Sequence, residues 1–401
     1  MPDRKREAWI TGIGMVSTLG EGPQAHWDRL MEAKPGADET TYAPYVVHPV
    51  ATIDFDKQIP KKGDQRQMEL WQRIGTYAAG LALESAGAKG NQQLLGRMDM
   101  IVAAAGGERD IVADSAILSG LLRAENPDAF LNERLLSDLR PTLFLAQLSN
   151  LLAGNISIVH GVTGSSRTFM GEETAGVDAV RIALARIEAG QSEIVLVGGA
   201  HNGERKDIMM QYVFGGMLIR DGFRPIWDRG PSGGCALGSL GAFLVLEERE
   251  SARARGALPF ARLTAVVSDR SARRPGDVGA QLRRIWDHLA GKLDVESTAI
   301  ISGATGAEPA TSEERAFHAG HPGIAVRAPG SYLGLAPEPQ FAMNVAIAAL
   351  TLKHGRLFPP GDVSGVEHAM EAPVSQIVVT SVGHWRGEGM ALIEAIDKGD
   401  V

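Results

Sequence analysis

"ETAGVDAVRIALARIEAGQSEIVLVGGA", residues 173–200, sets how the rest of the chain is read. From Glu173 to about residue 189, apolar residues fall on every side of a helix, among them Val177, Val180, Ile182, Leu184 and Ile187. A helix with no polar face is buried all round. Gly190 stops it, and "EIVLVGGA" is a continuous apolar run of strand length. Gly171 precedes the first turn, where free N–H groups and the helix dipole stabilise an anion. That turn carries two acids, Glu172 and Glu173. The expectation is an α/β protein with a helix at its centre and a site at that helix's start.

Further runs read as buried strands: "AWITGIGMVS" (8–17), "DMIVAAAGG" (99–107), "GAFLVLEE" (241–248), "FARLTAVVS" (260–268), "TAIISGATG" (298–306) and "SQIVVTSVG" (375–383). Their order repeats. Strand 99–107, helix 173–189 and strand 194–203 are followed by strand 298–306, a helix from about 331 to 354 and strand 376–385. Two related halves, 1–250 and 251–401, follow from the repeat.

Composition narrows the function classes. At 44% apolar and 22% charged, the 401 residues support a large core. A formal charge of -8 argues against general nucleic-acid binding. No run reaches membrane-span length, and "MPDRKREAWITGIG" has neither a signal core nor a cleavage site. One cysteine permits no internal disulfide. The expected compartment is the cytoplasm.

On these segments, together with "RPIWDRGPSGGCALGSLGAFLVLEERESARARGA" and "VVTSVGHWRGEG", the whole chain resembles the β-ketoacyl-acyl carrier protein synthases of the ketosynthase II type, in the thiolase superfamily. The resemblance implies two β/α halves in a five-layer αβαβα fold, a dimer, an acyl carrier protein as partner and no cofactor or metal. It also implies a catalytic cysteine at the central helix start and two histidines that decarboxylate malonyl. Those positions fall on Glu173, Ala304 and Ser331. A carboxylate cannot hold a growing chain as a thioester, and Ala304 offers no donor to an enolate.

The family's precedent for a missing cysteine is the chain-length factor, which pairs with an intact ketosynthase. The expected function is therefore that of a non-condensing partner in fatty acid, including very-long-chain, or polyketide elongation. The alternatives are an active 3-oxoacyl synthase or malonyl decarboxylase using other residues, and a non-catalytic acyl-binding homodimer.

An isolated buried carboxylate is costly, so Glu173 is expected to pair with His384 or Arg386 of "GHWRGEG" and close the old pocket; a half-exposed cap without a partner is the alternative. Lys61, Lys62 and Arg66 in "PKKGDQRQMELWQ" resemble the family's carrier-docking segment, although Gly63 and Gln67 replace neighbouring positions. Thr142 and Leu143 resemble its chain-length and dimer-interface segment. Cys235 reads as a small buried residue, and His318 and His321 of "HAGH" as loop surface rather than metal ligands. "TGIGMVS" lacks the third glycine of a dinucleotide fingerprint and reads as a strand-turn.

Overall fold

The first strand, β1 (Ala8–Ser17), is buried at all ten positions, as an apolar run needs when both faces of its sheet are covered. The chain is seen in a computed structural model, which describes residues 6–138, 145, 147–396 and 399. After β1 come α1 (Leu70–Ser85), β2 (Asp99–Ala103), α2 (Leu151–His160), β3 (Ser166–Phe169), α3 (Glu172–Glu188), β4 (Ile194–His201) and β5 (Leu240–Glu248). The second series is β6 (Ala261–Asp269), α4 (Asp277–Ala290), β7 (Thr298–Ile301), α5 (Ala310–Ala319), β8 (Ala325–Arg327), α6 (Pro337–His354), β9 (Gln376–Val382) and β10 (Glu388–Glu394).

The two series pair identically. In space the first runs β1-β5-β4-β2-β3 and the second β6-β10-β9-β7-β8. In each, the first two contacts are antiparallel and the last two parallel. The halves join where Ala8–Ile10 of β1 runs antiparallel to Ala261–Leu263 of β6.

Layering follows from which faces are apolar. Helices α1 and α2 cover the outer face of the first sheet, and α4 and α5 that of the second. Between the sheets lie α3 and α6, packed on each other and on both halves. Every residue of α6 from Pro337 to Leu352 is buried, and each large apolar side chain so buried contributes roughly 1.5–3 kcal/mol. This is the five-layer αβαβα order, with the starts of α3 and α6 brought together at its centre.

One expected element divides. The helix read from about 331 to 354 is a single turn, Gly330–Leu333, followed by α6. Gly334, at φ 71°, and Pro337 at the first position of α6 break it. Among the described residues between β2 and α2, the helices Ile111–Leu121 and Pro127–Asp138 bury none of their residues.

Candidate functional site

Strand β3 ends one short turn before α3, and the turn is tight. Gly171 sits at φ 130° and Glu172 at φ 52°, a left-handed conformation that costs a non-glycine residue roughly 1–3 kcal/mol. It sends Glu172 toward the surface and Glu173 inward, where Glu173 is 3% exposed.

The Glu173 carboxylate meets backbone amides. Its Oε1 accepts the His384 N–H at 3.0 Å, and the carboxylate also takes its own residue's N–H. Oε1 is thus held by the main chain, while Oε2 is buried with no hydrogen-bond partner among the described residues. Burial, then the nearby carboxylates of Glu338 and Glu172, push the Glu173 carboxyl up to about 7.

The cation expected beside Glu173 is absent among the described residues, and the pairing must be corrected. His384 binds through its main chain, while burial and then Arg273 hold its imidazole below the usual range, away from the charged form. Arg386 lies at the surface and pairs with Glu172, Nε to Oε2 at 3.5 Å. The loop is fixed by other bonds. Thr174 donates its hydroxyl to the Arg386 carbonyl at 3.1 Å, and Arg273 donates to the carbonyls of Gly383 and Gly387 and to the Glu388 carboxylate.

Neither residue expected at the family's histidine positions, Ala304 or Ser331, titrates. Ala304 is buried with its N–H on Ser302 Oγ at 3.1 Å. Ser331 is buried, and its Oγ accepts the Ile226 N–H at 3.0 Å. Cys235 is fully buried, and burial pushes its thiol up to about 12, so it stays protonated. No replacement nucleophile comes from it.

Beside the α3 start opens a cavity of ≈ 900 Å³. Its lining includes Gly171, Glu172, Ile208, Tyr212, Trp385 and Arg386, and it also takes in His201 and Glu338. His201, at the end of β4, and Glu338, in the first turn of α6, meet at 3.0 Å between Nδ1 and Oε2. Sequence reasoning missed this pair. The only signal was a histidine closing a buried strand and a glutamate between two prolines at a helix start.

The remaining sites lie elsewhere. Lys61 and Arg66 are exposed on or beside the short helix Lys62–Gln67, and Lys62 pairs with Asp56 at 2.5 Å. Thr142 and Leu143 lie outside the described residues. Of the two histidines expected at the loop surface, His318 is not there, whereas His321 lies in the loop after α5. His318 is buried on α5, 3.4 Å from Glu314, and His321 is half-buried against Trp286 and Phe317. Among the described residues no cluster of three or more His, Cys, Asp or Glu side chains could hold a metal ion. None of their helices is long and apolar enough to cross a membrane.

A model of the β-ketoacyl synthase N-terminal domain matches residues 5–252. The chain is 27% identical over 270 residues to a 3-oxoacyl-[acyl-carrier-protein] synthase 2 of Vibrio harveyi, covering 65% of this chain but only 62% of that protein. It is 25% identical over 405 residues to the ketoacyl synthase beta subunit of the tetracenomycin polyketide synthase of Streptomyces glaucescens, covering 95% of each. Among solved structures, the ishigamide ketosynthase/chain length factor superposes with a TM-score of 0.79 at 21% identity, over 98% of this chain and all of that one. The fold is thiolase-like.

Proposed function

The chain belongs to the β-ketoacyl synthase family, and from that premise we propose that it is a non-condensing subunit that pairs with an intact ketosynthase and shapes acyl elongation on a carrier protein. The observation that carries this reading is the Glu173 carboxylate lying on the amides of Glu173 and His384. A thioester carbonyl needs those two donors for its developing charge. With those donors occupied from within, and with Ala304 and Ser331 where donors are needed, neither acyl transfer nor decarboxylation has its machinery.

Partner binding draws on a different part of the molecule. Strand β3 pairs with β2 on one side and ends its sheet on the other. Ile158 on the adjoining α2 and Met170 just after β3 are 71% and 63% exposed, and Leu118 and Leu136 on the two helices that follow β2 are 64% and 81% exposed. An open strand edge beside exposed apolar side chains fits a subunit interface. The exposed Lys61 and Arg66 fit contact with an acidic carrier, and the compartment would be the cytoplasm. The pathway would be fatty acid or polyketide elongation.

The test is direct. The purified chain is incubated with acyl- and malonyl-carrier proteins, alone and then with an intact ketosynthase, and mass spectrometry follows acylation, carbon dioxide release and product length. The expected result is no turnover alone and a changed rate or product length in the mixture. Turnover by the chain alone would mean that it holds a catalytic group of its own.

A further inference from the structure

The His201–Glu338 pair has no part in the role described above, yet it is built as a recognition element. Both residues are at least nine-tenths buried, at 5% and 4% exposure, and both line the ≈ 900 Å³ cavity. With Glu338 as acceptor, the 3.0 Å contact places a ring proton on Nδ1, and in that tautomer Nε2 carries the lone pair. Nε2 is buried and has no protein partner. A buried acceptor left unpaired is unfavourable, and its complement is an O–H or N–H brought in by a ligand.

The rest of the lining narrows the ligand. The charged groups of the wall are committed to one another or to neighbours: Arg386 to Glu172, Arg205 to Asp207, Arg109 to Asp114. Between them lie glycines, Ala105, Met170, Ile208, Pro337 and the aromatic rings of Tyr212 and Trp385, together with the amides of Gln147 and Gln211. The apolar part of this wall suits a hydrocarbon chain, and a donor carried on that chain would meet His201.

We propose that His201, oriented by Glu338, is a hydroxyl-recognition site, and that the cavity selects acyl thioesters bearing a hydroxyl group on the chain. This rests on the cavity being one that takes acyl chains. His201 makes the contact, and Glu338 is its positioning residue.

Calorimetry of the full chain with 3-hydroxydecanoyl-pantetheine and decanoyl-pantetheine tests it. The hydroxylated thioester should bind about tenfold more tightly, the effect of one hydrogen bond made to a buried nitrogen that is otherwise unpaired. His201→Leu should bind the two equally. Glu338→Gln, whose amide oxygen still accepts from Nδ1, should keep part of the preference. Nitrogen-15 NMR of the wild-type protein provides a readout that needs no variant: an unprotonated Nε2 signal that moves with the hydroxylated thioester only.

Equal binding of the two by the wild type would overturn the proposal, as would a doubly protonated ring in the free protein or a preference kept by folded His201→Leu. Failure of both thioesters to bind would overturn it together with the acyl reading of the cavity. A hydroxyl preference combined with no effect on a partner's products would leave His201 in place and remove the elongation role.

Discussion

Glu173, buried at the start of α3, gives the clearest single-residue test through its ionisation. Its folded pKa, about 7, lies above the ordinary value of 4.5 because burial disfavours the charged form. The native state therefore holds a proton that the unfolded chain has released between these values. Stability from this group is present at pH 4.5 and below and is lost as pH rises through 7. Between pH 5 and pH 8 the wild type should lose roughly 2–3 kcal/mol relative to Glu173→Gln, read from urea unfolding at both values. The buried histidines His26, His48 and His160, held down to about 4, 3 and 4, act in the opposite sense. They cancel in the comparison because both proteins carry them. Equal pH slopes would mean that Glu173 ionises as freely as in water. The position of Glu173 was legible in the sequence, but its partner was not. "GHWRGEG" advertises two cationic side chains, and only the folded loop shows that a backbone N–H faces the helix.

At the scale of elements, hydrophobic period and glycine placement were enough to find the central helix and most strands, since runs buried on both faces read as continuous apolar stretches. What they could not show is how closely α3 and α6 approach. A Cβ on Gly176 would stand 2.6 Å from the Glu338 carbonyl oxygen, so only glycine lets the helix starts meet. Gly176→Ala should cost about 1–3 kcal/mol, the usual penalty for overpacking, despite alanine's better helix propensity. Thermal unfolding would register the loss. The same push reaches Glu338, so the variant should also weaken the Nδ1 hydrogen bond of His201, visible as a shift of that ring's nitrogen-15 resonances. Unchanged stability with an unchanged ring would mean that the helices have slack at this crossing. The break at Gly334 was missed for a related reason, because the chain is buried without interruption from Gly330 to Leu352, and periodicity does not register a left-handed glycine.

The whole molecule presents the chain with surface it cannot cover alone. The repeat of halves was readable in element order, and the pairing β1-β5-β4-β2-β3 and β6-β10-β9-β7-β8 gives it a physical form. That symmetry stops at the surface. In the first half, the helices Ile111–Leu121 and Pro127–Asp138 separate β2 from α2 and bury nothing, leaving Val112, Leu118, Leu122 and Leu136 64–90% exposed. In the second half, β7 leads to α5 with no inserted helix. A face of this kind on an isolated chain invites association. If it receives the intact ketosynthase, Leu118→Asp and Ile158→Asp should each weaken the heterodimer about thirtyfold or more, since a charge in the dry centre of an interface costs about 2 kcal/mol or more. Both side chains are exposed at present, so the thermal midpoint of the isolated subunit should not change. Sedimentation of the mixture and of each subunit alone separates the outcomes. Loss of the heterodimer with an unaltered monomer would place the partner on this face. Loss of self-association instead, with the ketosynthase still bound, would make the face a homodimer interface and send the search for the partner to another surface.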